Sequence, residues 1–356
     1  MSLHPLFSVL FFMCSSMLLG QNTNYVLVWS DEFDGNGAIN SDKWHHQTLL
    51  PNGDSWWNGE IQHYTDRTDN SNVSNGTLKI VAKKEQFTDQ GVTKEYTSAR
   101  LNSKFAFTYG LVEVRAKLPI GAGTWPAIWT LGQNIIEPGA FWSDDFGTVI
   151  WPACGELDIM EHWGSNQNFV QSATHTPSSS GNTVNKGGQV IPTASSQFHV
   201  YTMEWTEDKV IFSVDGVVHY TYEPAVQNSD TWPFDANQYL LLNVAVLPDI
   251  DPTFTESAME VDYVRVYQDE LLSTPGNEVD SVLVYSSLTK DTLSVRIGQD
   301  LLGAQMDVYS IAGQRIKSFT IRELTNEFDV SNLPSGTYAV VLQKGETTIR
   351  RLVVKR

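Results

Sequence analysis

Clusters of Gly, Asn and Asp punctuate the chain, and the runs between them are short, β-branched and alternating. "GTLKIVAKK", "GLVEVRAKL" and "HVYTMEW" each set apolar and polar residues on alternate positions. That period of two marks strands with one buried and one wet face. "VIFSVDGVVHYTY" carries Asp215-Gly216 in its middle and predicts a hairpin. "MEVDYVRVYQD" adds a strand ending near Asp269. Long helical periodicity is absent. Many short strands at this spacing predict an all-β protein built on a large antiparallel sandwich.

A chain of 356 residues has room for one large domain and a small one. A seam falls at residues 271–278, "LLSTPGNE", which carry Pro and Gly. All 11 Trp precede it, and further strand-like runs follow it, among them "DTLSVRI", "AQMDVYS" and "GTYAVVLQ". The expected organisation is a leader over residues 1–20, a main domain over 21–270, a linker over 271–278 and a small β domain over 279–356. The leader is apolar and ends in small residues before Gln21, as a secretory signal peptide does. It is too short and interrupted for a stable membrane span. Its removal leaves one cysteine, Cys154, so no intrachain disulfide is available. Export without disulfides suits a bacterial protein with a core large enough to stand alone. Cys154 itself is expected to be a buried apolar filler. The net charge of −18 makes nucleic acid and anionic membrane surfaces poor partners, while a neutral substrate is indifferent to it.

One stretch resists a purely structural explanation. "CGELDIMEHWG", residues 154–164, crowds Glu156, Asp158 and Glu161 among apolar Leu157, Ile159 and Met160. Like charges held together raise one another's pKa and weaken the fold. On a straight strand Glu156 and Asp158 share a face, while Glu161, five positions from Glu156, points the other way. One extra residue in a β-bulge between Asp158 and Glu161 restores the phase and gathers all three. Two carboxyls flanking one bond are the working parts of a glycosidase. One attacks the anomeric carbon and the other protonates the leaving oxygen, with a separation of ~5–5.5 Å for retention and more for inversion. A third acid between them helps keep one ionised and the other protonated. A surface strand with a few acids, or a cation site, is the competing explanation. The apolar neighbours, which put the opposite face in a core, and the nearby Trp and His residues favour the glycosidase.

"WPACGELDIMEHWG" closely resembles the signature of glycoside hydrolase family 16, in its laminarinase (endo-β-1,3-glucanase) branch. "VWSDEFDG", "WNGEIQHYT", "TSARLNSKFAFTYGLVEVRAKLP", "GTWPAIWTLG" and "VDYVRVYQ" look like family segments in family order, from Tyr25 to Asp269. The resemblance implies a concanavalin-like β-jelly-roll with the sugar lying in a concave cleft. It implies Glu156 as nucleophile, Asp158 as helper and Glu161 as acid/base, with no cofactor for catalysis. It implies Trp125 and Trp129 as cleft tryptophans; an indole face suits a pyranose, and its N–H can serve a hydroxyl. Asn58, Glu60 and Arg100 resemble residues that hydrogen-bond sugar hydroxyls, and His175 in "SATHT" matches a histidine near the cleaved bond. Trp163 either walls the cleft or packs. A structural calcium ion is implied on the convex side, at Glu32, Gly76 and Asp262, whose segments match; calcium takes hard oxygen ligands, backbone carbonyls included.

The insertion "NIIEPGAFWSDDFGTVIW" and the segment "NVAVLPDIDPTF" depart from the family pattern, and cleft loops set specificity. The tail resembles the C-terminal sorting domain of type IX secretion through "MDVYSIAGQRIKS", "FDVSNLPSGTYAVVL" and "RRLVVKR". Its usual Tyr-Pro-Asn-Pro start is missing, and a small carbohydrate-binding module is the alternative. Together these features imply a secreted or cell-surface bacterial enzyme, a monomer, cutting β-1,3-glucan (laminarin) and mixed-linkage β-1,3/1,4-glucan with retention. Its partners are that polysaccharide and the type IX machinery. The alternatives are a relative acting on lichenan or a marine galactan, and a non-catalytic glucan-binding lectin.

Overall fold

The computed structural model describes residues 25–269, 282–285, 292–297, 301–310, 314–334, 336–345 and 347–355. The leader expected over residues 1–20 and the linker expected over 271–278 lie outside them.

Alternation does what it predicts. In Gly110–Lys117, Val112, Val114 and Ala116 are fully buried while the residues between them are half-exposed. Strands of this kind assemble into two sheets. The first runs, by hydrogen-bonded neighbours, Val217–Tyr222, Val210–Val214, His199–Trp205, Gly110–Lys117, Glu256–Asp269, Thr77–Asp89, Val92–Ser98 and His63–Tyr64. Tyr25–Asp31 joins it along Glu256–Asp269, and Ser71–Ser74 joins it along Thr77–Asp89. The second runs Lys186–Val190, Phe169–His175, Glu156–His162, Thr124–Gly132, Gln238–Val246, Arg100–Phe107 and Trp44–His46. Its neighbours are all antiparallel. The expected hairpin forms, with Asp215 and Gly216 both at positive φ in its turn.

One core fills the space between the sheets. Leu78, Ile80, Val112, Val114, Val264 and Val266 meet Ile128, Leu157, Ile159, Leu240, Leu242 and Val244 there. Gln238–Val246 is buried along its whole length. Its even positions enter the main core, while Tyr239 and Leu241 on the other face join Leu131, Ile135 and Cys154 in a second cluster. That cluster seats the inserted segment, whose Trp142 and Val149 pack on it. Cys154 is the buried filler expected of it, fully enclosed. Trp44, Trp56, Trp205 and Trp232 are also fully buried and serve packing.

The tail builds sheets of its own. Val282–Tyr285, Thr292–Ile297 and Thr325–Asp329 form one; Arg315–Thr320, Gln305–Ser310, Gly336–Lys344 and Thr347–Lys355 form the other. Val295, Met306, Val308, Ile321, Val340 and Leu342 make a separate core between them.

After Glu156–His162 the chain turns through Trp163 and a short 3-10 segment, Gly164–Asn166. Gly164 passes so close to the backbone of Gly121 that a Cβ would sit 1.7 Å from the Gly121 carbonyl oxygen. Main chain cannot yield as a side chain does, so Gly164→Ala should cost about 1–3 kcal/mol. It should also lift Trp163 off Trp125. Scanning calorimetry should find a lowered Tm.

Candidate active site

The face of the second sheet turned away from the main core carries the acids. Pairing shows how they get there. Asp158 lies opposite Trp129 and Met160 opposite Ile128, two steps against one. Across the other edge, Asp158 lies opposite Ala173 and Glu161 opposite Gln171, three steps against two. The extra residue is where parity demanded it. Ile159 and Met160 both enter the core, and Glu156, Asp158 and Glu161 all point to the open face. Glu156 is half-buried, and Asp158 and Glu161 keep 3% and 8% of their surface.

Glu156 and Glu161 accept from side-chain N–H groups, whereas Asp158 Oδ2 is buried without a hydrogen-bond partner. The indole N–H of Trp151 donates to Glu156 Oε2 at 2.8 Å. His175 Nε2 lies 3.1 Å from Asp158 Oδ2 and 3.6 Å from Glu156 Oε1. Glu161 accepts from Trp125 Nε1 at 3.2 Å and from Gln171 Nε2 at 3.3 Å. Burial, then the charge of Asp158, pushes Glu156 well above the ordinary carboxylate range. Burial raises Asp158 to about 7. Burial and the charge of Asp158 raise Glu161 to about 8. The triple therefore holds protons at neutral pH and titrates as a unit. Burial outweighs hydrogen bonding at both glutamates; the Trp151 N–H at Glu156, and the Trp125 and Gln171 N–H groups at Glu161, each favour the ionised form of the carboxyl they meet.

The other expected residues divide. Trp125 stacks on Trp163 with ring centres 5.7 Å apart and planes at 23°, so Trp163 belongs to this wall. Trp129 donates its N–H to Asn243 Oδ1 at 2.7 Å. The N–H groups of Trp125 and Trp129, expected to be free for a sugar hydroxyl, are thus used inside the protein. Arg100 is buried; its guanidinium pairs with Glu137 at 2.8 Å and lies over Trp129 at 4.8 Å and Trp56 at 5.5 Å. Glu60, also buried, accepts at Oε2 from Gln62 at 2.8 Å and Tyr64 at 2.9 Å, and burial raises its pKa. Asn243 Nδ2 in turn donates to Tyr64 Oη at 3.1 Å. Glu60 and Arg100 therefore back the tryptophan floor rather than present themselves as open sugar ligands. Asn58 is exposed on its loop at φ 56.

Four contributors escaped the sequence reading. Gln171 shares the parity of His175 and could have been found from it. Asn243 is a lone polar residue inside the apolar run "LLLNVAV", a warning that it has a partner. Trp151 opens the signature stretch "WPACGELDIMEHWG" at the end of the insertion, and Glu137 lies inside the insertion where no local pattern marks it. Glu137 also accepts from Trp57 Nε1 at 3.2 Å, so the insertion is tied to the open face at both ends.

The expected calcium corner can be tested on register. Val261 pairs with Leu78 and Val264 with Asp31, which brings the main chains of Gly76 and Glu32 alongside Asp262. Asp262 lies where Glu256–Asp269 shifts register against Gly110–Lys117. The carboxylates are otherwise engaged. Arg265 grips Glu32 at 2.9 and 2.7 Å, and Arg115 holds Asp262 at 2.5 Å. Register brings the three segments together, but both carboxylates are taken by arginines.

Two almost wholly antiparallel sheets over one core, with an acid triple on an open face, define a β-sandwich glycosidase. The glycosyl hydrolases family 16 profile matches residues 58–265, and the chain belongs to that family. A secretion system C-terminal sorting domain matches residues 284–355. LamA of Zobellia galactanivorans, solved in complex with laminaritriose and laminaritetraose, is 48% identical with a TM-score of 0.63, covering 68% of this chain and 98% of that one. A laminarinase from Flavobacterium sp. UMI-01 is 35% identical with a TM-score of 0.59, over 68% of this chain and 100% of its own. A beta-glucanase of Rhodothermus marinus is 38% identical over 262 residues, 69% of this chain and 86% of its own. The chain is a glycoside hydrolase, and its tail is a sorting domain rather than a sugar-binding module.

Trp151→Phe removes one donor from Glu156 and keeps a ring in place. The lost hydrogen bond favoured the anion, so the Glu156 pKa should rise, by about half to one unit. A carboxyl 13C NMR titration, assigned with Glu156→Gln, checks it; an unchanged or lowered value would contradict the donor's role.

Proposed function

We propose that the protein is a secreted endo-β-1,3-glucanase that cuts laminarin, and mixed β-1,3/1,4-glucan, with retention. The bulged strand carries this reading: it sets two glutamates of unequal hydrogen bonding on one open face. Glu156, as the anion, attacks the anomeric carbon while Glu161 gives its proton to the departing oxygen. The glycosidic bond breaks and a glycosyl ester forms on Glu156. Glu161, now ionised, takes a proton from water as that water attacks the same carbon, and Glu156 leaves. Asp158, 3.1 Å from His175, favours the acid form of Glu161 whenever it is ionised. Trp125 and Trp129 offer ring faces to the glucan. The names of the relatives, LamA with its laminari-oligosaccharides among them, support the choice of polymer.

Arg100 is already neutralised by Glu137, so it is not available to pair with a sulfate. That favours a neutral glucan over a sulfated galactan. A lectin would need neither a positioned nucleophile nor a proton donor, and both are provided for here.

Laminarin, lichenan, agar, porphyran and carrageenan assayed side by side should find the greatest turnover on laminarin, with β-anomers appearing first by NMR. Glu156→Gln should lose at least about 10³-fold in kcat with its fold intact. Fast turnover by that variant would remove Glu156 from its role, and α-anomers appearing first would exclude retention.

A structural calcium ion at the Glu32–Gly76–Asp262 corner would draw on main-chain carbonyl oxygens and add stability, without a part in the chemistry. EDTA should then lower Tm by several degrees and calcium restore it. A Tm indifferent to both would rule the ion out. The leader over residues 1–20 is proposed to be removed on export, on the pattern of its sequence alone.

A further inference from the structure

The bulge that gathers the acids leaves a difficulty behind it. A bulged strand has one residue whose ladder partner is missing. Here that residue lies in the core: Ile159 is 1% exposed, so water cannot satisfy its carbonyl. The carbonyl is met instead by a side chain from the next strand. Ser172, fully buried and standing opposite the bulge between Ala173 and Gln171, donates its hydroxyl to Ile159 O at 2.7 Å.

With its proton spent there, Ser172 Oγ is left as an acceptor. His219 Nε2 lies 2.8 Å from it. That contact requires the tautomer with hydrogen on Nε2, which leaves Nδ1 to accept from Gln189 Nε2 at 3.2 Å. Burial lowers the pKa of His219, which keeps the imidazole neutral and the tautomer in place. The resulting chain is directional and complete: Gln189 to His219, His219 to Ser172, Ser172 to the bulge. It also crosses the fold. His219 belongs to the edge strand Val217–Tyr222 of the first sheet, while Gln189 and Ser172 belong to the second.

We propose that Ser172 and His219 are positioning residues that pin the bulge at Ile159 and so hold Glu156 and Glu161 in mutual register for catalysis. Neither touches substrate. A bulge that migrates by one residue turns a carboxylate from the open face into the core. A smaller displacement separates the pair by a fraction of an ångström, and misplacement on the scale of 1 Å costs up to about 10²-fold in rate. The proposal rests on the catalytic roles given above.

The test uses the full chain with laminarin, well below the Tm of every variant. Ser172→Ala should lower kcat about tenfold or more with KM within about twofold, because the cleft still binds. Ser172→Thr keeps the hydroxyl and should restore most of the loss. His219→Phe keeps a ring, leaves Ser172 its bond to Ile159, and should lower kcat by about threefold. Since the two act in series, the double variant should be little worse than Ser172→Ala alone. A merely structural role would lower Tm and leave kcat per folded molecule unchanged. Wild-type kcat in both Ser172→Ala and His219→Phe would overturn the proposal, as would fully additive losses. Should Ser172→Ala not fold, His219→Phe and His219→Gln decide the matter by kcat. Glu156→Gln, run alongside, separates the two ideas: its survival would sink the catalytic assignment, whereas its death beside fully active His219 variants would sink only the pin.

Discussion

One unpaired residue organises the molecule. Had Glu156–His162 run without its bulge, Met160 would have faced water and Glu161 the core beside Leu157. Burying an unpaired carboxylate costs far more than exposing a methionine, so the straight strand loses twice. With the bulge, Ile159 and Met160 both pack and all three acids stay out. The kink is therefore favoured by hydrophobic burial before any function is considered. Catalytic geometry rides on a choice that the core would make unaided.

The acids are tolerated because they do not all ionise. Their raised pKa values mean that the folded protein binds protons the unfolded chain would release near pH 4 to 5. The sign follows: folded values above unfolded ones give a contribution that weakens the fold as pH rises from the ordinary carboxylate range toward about 8. The surrounding N–H groups offset part of this. They differ between the two glutamates of one strand, one N–H reaching Glu156 and two reaching Glu161.

Much of this was legible. Period-two alternation carried the sheets because side-chain direction in a strand is fixed by parity alone. The same parity located the bulge, since three acids separated by one and then two apolar residues cannot share a straight face. The composition shift at the seam separated the tail. What stayed hidden was everything decided by long-range contact. Glu137 is an ordinary acid in a loop until Arg100 is found opposite it, 37 positions away in sequence. Glu60 and Arg100 were expected at the substrate because their segments, "WNGEIQ" and "TSAR", resemble those of the family. Their partners, Tyr64 and Glu137, turn them inward, and only the tertiary structure holds that fact. Asp262 and Glu32 were expected as ion ligands, yet each is paired with an arginine from another position of the sheet, Arg115 and Arg265.

Four of the indoles at the open face have given away their only polar atom: Trp57 to Glu137, Trp125 to Glu161, Trp129 to Asn243 and Trp151 to Glu156. What these four leave to a visiting sugar is hydrocarbon. Such a surface registers flatness and is blind to the stereochemistry of a hydroxyl. It can hold successive residues of a polymer at almost any offset, as a rail holds a carriage, and it leaves the task of stopping at the correct linkage to the few polar groups at the site of cleavage.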